Sequence, residues 1–216
     1  MGLNKNNNNG KFLGITNGKI SLRVPEGTEG AVERETKNGD TVYEEYFDSV
    51  SGYIVGGGVE RKKIGDNTIE QVTVKIKDSD GDHFTLNIPW ASRVRDSFIK
   101  VLPNLDVSKQ VEIVVFPSKN AKDKGRPVLI VKQDGSKVDW AYSRTEPNGL
   151  PQPTKRTVKG IETWDFSIVE DWLWSKGEEF FSQFDGDEPP VGQDESVDEE
   201  SGEETQSRSG SDDIPF

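Results

Sequence analysis

The chain has 216 residues, of which 31% are hydrophobic and 31% charged, with a net charge of −12 and no cysteine. That supports one modest core and excludes disulfides, thiolate metal sites and a thiol nucleophile. No apolar run approaches the about 20 residues of a membrane helix, and "MGLNKNNNNGKF" lacks both a signal-peptide core and a myristoylation Ser/Thr, so the expectation is a soluble, cytoplasmic protein without a membrane partner.

Residues 1–10 read as a disordered, Asn-rich arm. In "KFLGITNGKISLRV", Asn17-Gly18 between two apolar runs predicts a hairpin, and "TVYEEYF" (Thr41 to Phe47) predicts a further strand. Residues 48–90 read as a three-strand meander, with turns at Gly65-Asp66-Asn67 and Ser79 to Asp82. Val72, Val74 and Ile76 alternate with Thr73, Lys75 and Lys77, and Phe84, Leu86 and Ile88 with His83, Thr85 and Asn87. "ASRVRDSFIKVL" spaces Val94, Phe98 and Val101/Leu102 as a helix that Pro103 stops. Strands follow at Val111 to Phe116 and Pro127 to Val131, joined by the lysine-rich "PSKNAKDKGR", then an extended piece from Lys137 to Tyr142.

Three strands, a helix and two strands is the order of an OB-fold, a five-stranded Greek-key barrel. The predicted class is therefore all-β to α+β: an OB-fold domain over 11–144, with the barrel at about 48–144 and residues 11–47 as an N-terminal β extension packed beside it. Gly56-Gly57-Gly58 fits the bend such a barrel demands of its first strand. Residues 145–164, rich in Pro and Gly, read as a linker. Residues 165–184 read as an amphipathic helix with a Ser167/Glu170 capping box and an apolar face of Ile168, Trp172 and Leu173, continued by Phe180, Phe181 and Phe184. It could pack on its own barrel or join two copies in a homo-oligomer. Residues 185–216 are disordered by composition.

The charge is unevenly divided. Residues 185–216 hold twelve acids and one base, so the other 184 residues carry 27 acids and 26 bases, a net of −1. Within that body, Lys119 to Lys159 holds ten Lys/Arg against four Asp/Glu.

Catalytic patterns are thin. His83 is the only histidine, and "DSDGDH" has its glycine at the wrong place for a calcium loop, so neither an enzyme nor a cofactor is expected. Non-specific binders of single strands combine basic side chains along the phosphates with aromatic faces for the bases. Candidates for that role are Lys75, Lys77, Phe116, Lys119, Lys122, Lys124, Arg126, Lys132, Trp140, Tyr142 and Arg144.

The acidic segment ends in Asp212, Asp213, Ile214, Pro215 and Phe216. Pro215 lowers the entropy lost on docking, Ile214 and Phe216 supply apolar anchors, and the carboxylates can meet basic side chains. This ending resembles the C-terminal tip of the bacterial single-stranded DNA-binding (SSB) family. The resemblance implies a divergent, bacteriophage-encoded member acting in the host cytoplasm. Its body would coat single-stranded DNA while those five residues recruit replication, recombination and repair proteins, and the acidic tail could compete with DNA for the basic groove. The alternative is a decoy that displays the tip to host proteins and binds no DNA.

Overall fold

The computed structural model describes residues 10–36, 39–64, 67–120, 124–143, 145–158 and 160–184. The expected N-terminal arm to residue 9, the acidic tail with its tip, Lys122 and Arg144 lie outside the described residues.

The chain begins with β1 (Lys11–Thr16) and β2 (Lys19–Val24), joined as expected at Asn17 and Gly18, with φ of 53° and 73°. Two positive φ values in succession make the type I′ turn that matches strand twist. Then come β3 (Val32–Glu35), β4 (Thr41–Phe47) and the meander β5 (Ser49–Ile64), β6 (Asn67–Lys77) and β7 (His83–Pro89). Helix α1 (Arg93–Val101) starts where Ser92 Oγ accepts the Val94 N–H, and a 3₁₀ turn containing Pro103 ends it. Next are β8 (Val111–Pro117), β9 (Pro127–Gln133), the two-residue β10 (Ser136–Lys137), β11 (Thr154–Val158), β12 (Ile161–Asp165) and α2 (Ser167–Phe181). The described part is thus mostly β, with two helices. Neither helix is long and apolar enough to cross a membrane.

Ten strands form one sheet in the order β10-β9-β8-β5-β6-β7-β1-β2-β4-β3. The alternation read from the sequence places the core. Ile54, Ile76 and Phe84 share one inward rung, and Val74, Leu86, Leu13 and Leu22 the next. Val50, Ile113 and Val131 continue it where β5 crosses to β8. The far edge of β7 is taken by β1 in parallel pairing, Leu13 opposite Leu86, so the N-terminal strands continue the sheet. The sheet then curls until the β1–β2 turn touches β8, where a Cβ on Gly18 would stand 2.9 Å from the nitrogen of Pro117.

Three expectations change. Of the extended piece only Lys137 is strand, together with Ser136 before it in β10; beyond it the chain follows α1, with the Ala141 N–H donated to Lys100 O. Residues 145–164 are not plain linker, because β11 and β12 pair antiparallel from Thr154–Asp165 to Val158–Ile161 as a separate two-stranded sheet. Neither Ser167 nor Glu170 caps α2; the carboxylate of Asp165 accepts the Ser167 N–H, and Ile168 is exposed.

Leu173 and Phe181 of α2 enter the same core as the sheet, so its apolar face is used within the chain. The helix can approach because Gly177 faces β5; a Cβ there would come within 2.4 Å of Val59 Cγ2. A ladder of rings and cations fastens it further. Arg95 lies 4.1 Å over Trp90, Trp90 meets Trp174 edge to face at 4.8 Å, and Arg61 lies 5.3 Å from Trp174. Trp174→Ala is expected to cost about 2 kcal/mol, a half-buried tryptophan plus its ring contact. Thermal melts and near-UV circular dichroism check this; an unchanged midpoint would mean that the ladder contributes nothing.

Candidate nucleic-acid interface

Residues paired across a sheet point to the same face. Opposite the core, one outward rung holds Tyr53, Lys77 and His83; the next holds Gly56, Lys75, Thr85 and Phe12. A register shift between Ile54 and Gly56 turns both Tyr53 and Gly56 outward. With no side chain at Gly56, the stem of Lys75 lies over its backbone. Lys75 and Lys77 are exposed and have no ion-pair partner among the described residues. Tyr53 is 40% and Phe12 67% exposed. From β5 to β1 is three strand spacings, about 14 Å. The result is a strip with two unpaired ammonium groups between two aromatic rings.

A second basic region follows β8. Phe116 leaves the core face as its parity predicts and is 37% exposed. The loop after it is closed by Ser118 N–H to Arg126 O (2.7 Å) and Gly125 N–H to Ser118 O (3.1 Å). It presents Lys119, Lys124 and Arg126 to solvent.

Other candidates are placed elsewhere. Tyr142 is corrected: its ring is only 9% exposed and packs edge to face on Trp172 at 4.6 Å, because the chain turns under α2 after leaving the sheet. It is a packing residue, with no face for a base. Lys132 is engaged by Glu112 at 3.0 Å, the residue opposite it on β8. Trp140 is 46% exposed but lies against α1, with Lys100 Nζ 5.2 Å from its ring. Phe12 and Tyr53 are not among the candidates read from the sequence. The signal was there: Leu13 and Ile15 alternate inward, so Phe12 must point out, and Tyr53 precedes an inward Ile54. The Asp78 to His83 cluster forms a turn, in which one Asp78 oxygen accepts the N–H groups of Asp80 and Asp82.

On the same outer face β1, β2 and β4, with Arg34 of β3 and Asn87 of β7, line an open groove of about 1160 Å3 that includes Phe12, Thr16, Ser21, Arg23 and Glu44. Its floor holds a buried charge. Glu44 accepts from Arg34 Nη2 at 2.6 Å, from Arg34 Nε at 3.0 Å and from the Tyr46 hydroxyl at 2.9 Å. The Arg34 fork holds the Glu44 carboxyl below its usual range against the opposing effect of burial. A depressed carboxylate contributes stability that is complete above the ordinary glutamate value of about 4.3 and lost as pH falls through the lower folded value. Glu44→Gln is therefore expected to flatten the fall in melting temperature between neutral and acid pH. Parallel curves for the two proteins would remove Glu44 from the acid response.

No protein-family model, no curated protein and no solved structure matches this chain.

Proposed function

We propose that this is a non-catalytic, sequence-independent single-stranded DNA-binding protein of the SSB type. In this reading β5 to β9 with α1 form an OB-type barrel, extended on the β7 edge by β1 to β4. The outer face of β5–β6–β7 takes the strand. Lys75 and Lys77 meet phosphates, Tyr53 and Phe12 stack bases, and the Lys119–Arg126 loop adds charge along the path. Asp212, Asp213, Ile214, Pro215 and Phe216 recruit replication, recombination and repair proteins.

The observation that carries this reading is the juxtaposition of two unpaired lysines with exposed Tyr53 and Phe12 on one face. Many other body cations, such as Lys11, Lys19, Arg34, Arg61 and Lys132, are held by carboxylates. Leaving two neighbouring ones on a β face without a carboxylate partner among the described residues is an invitation to an anion.

The test is titration of fluorescent oligo-dT with the full-length protein and with a truncation ending at Phe184, across a salt series. Binding that weakens steeply with salt, and strengthens on truncation, is expected from phosphate contacts that the acidic segment opposes. No binding by either protein sinks the DNA-coating reading and leaves the decoy.

A further inference from the structure

The two basic regions of the interface, Lys75/Lys77 on β6 and the loop after β8, do not adjoin through the pairing of β5, β6 and β8. Along β8, Phe116 is five residues beyond Val111, which pairs with Gly52 beside Tyr53, a separation of about 17 Å. They are connected by another route. Lys75 is paired with Thr85 and Thr85 with Phe12, and Phe12 stands at one end of the groove. The other end is lined by Thr16, next to the turn where Gly18 abuts Pro117, the root of the basic loop.

From this we infer that the groove on β1, β2 and β4 is a second segment of the nucleic-acid path, taking the single strand onward from the Lys75/Lys77 strip to the basic loop. The inference rests on the proposed single-strand binding and assigns a role to the N-terminal strands that a five-stranded barrel does not require. Phe12 is the stacking platform at the entrance. Arg34 cancels the buried charge of Glu44, so exposed Arg23 at the rim leaves the groove net positive, a position suited to a phosphate. The floor offers hydrogen bonds. Asn87 Oδ1 accepts from Gln71 Nε2 and Thr73 Oγ1, so its amide nitrogen, without a partner among the described residues, is left to donate to a base edge. Ser21 and Thr16 hydroxyls bond each other at 3.1 Å and keep accepting capacity. A polar floor of this kind, paired with an aromatic lip, suits bases laid flat at the entrance and edge-on further in.

The test uses the full-length protein, Phe12→Ala, Arg23→Ala and Arg23→Lys, with oligo-dT of about 6 and about 16 nucleotides, towards the short and long ends of the range of about 4–16 for such folds. Phe12→Ala is expected to weaken binding of the longer oligomer by about 5- to 150-fold, one lost stacking contact. Arg23→Ala should lower the salt slope on the longer oligomer by about 0.7, and Arg23→Lys should restore it, which a purely structural arginine would not. The shorter oligomer should keep its affinity for both Arg23 variants. Unchanged affinity and slope of Arg23→Ala on the longer oligomer overturn the groove assignment while the strip on β6 stands. If the unaltered protein binds neither oligomer, the parent reading has failed and takes this one with it.

Discussion

Gly57→Ala is expected to lower the melting temperature by roughly 10 °C, whereas Gly58→Ala, one residue along, should leave it nearly unchanged. A Cβ on Gly57 would stand 2.3 Å from Thr73 O and 2.4 Å from Phe181 Cε1, and the backbone there has φ of 151°, unfavourable for an L side chain. One obstacle is main chain in the paired strand and cannot yield. The other is the Phe181 ring, itself buried in the core. Overpacking and backbone strain each cost about 1–3 kcal/mol, and in a chain of this size each kcal/mol moves the midpoint by about 2–4 °C. At Gly58 the nearest atom is Glu60 Cγ at 4.0 Å, with open space otherwise. Thermal melts of the two variants decide the matter; equal midpoints would show that Phe181 does not sit on Gly57 in solution.

A full-length protein carrying Tyr53→Ala, Lys75→Ala and Lys77→Ala together is expected to lose at least a hundredfold in affinity for oligo-dT at moderate salt. The separate losses differ in kind. Removing the Tyr53 ring deletes a stacking contact of about 1–3 kcal/mol, or about 5- to 150-fold, without changing the salt slope. Each lysine removed should lower that slope by about 0.7, the phosphate contact it would have made on a single strand. Lys132→Ala is the comparison, because Lys132 is already engaged by Glu112 and should change neither quantity appreciably. An unaltered slope in the double lysine variant would move the phosphates off this face.

What the sequence discloses follows the range of the forces involved. The Asn17-Gly18 turn, the α1 spacing and the strand alternations are local patterns, and each matches an element of the structure. The parallel pairing of β1 with β7 joins Lys11 to Phe84, and no local pattern encodes a partner that distant. The β11–β12 hairpin escapes for a different reason. Lys155, Arg156, Ile161 and Trp164 are all exposed, so neither face is buried and no alternation marks it. At Tyr142 the strand periodicity of Lys137 onward is extended past the point where the chain leaves β9. Gly177 in α2 looks like a helix weakness in the sequence; the close approach of Val59 gives its reason. Of the candidate interface, the lysines are readable from alternation alone, while the register that sets Tyr53 beside Lys77 depends on a bulge that only the fold reveals.

The placing of Leu173 and Phe181 in the common core also has a bearing on biosynthesis. Helix α2 starts at residue 167 of 216, after every strand among the described residues has been made. Until Phe181 leaves the ribosome, Gly57 and Val59 lack the contacts that Phe181 and the Gly177 turn of α2 bring to them, and the nascent sheet offers apolar surface to any chaperone or neighbouring chain. Sealing of the core therefore comes late in translation. A ribosome stalled just before α2 would hold a sheet able to pair its strands but still open on the side that the helix closes.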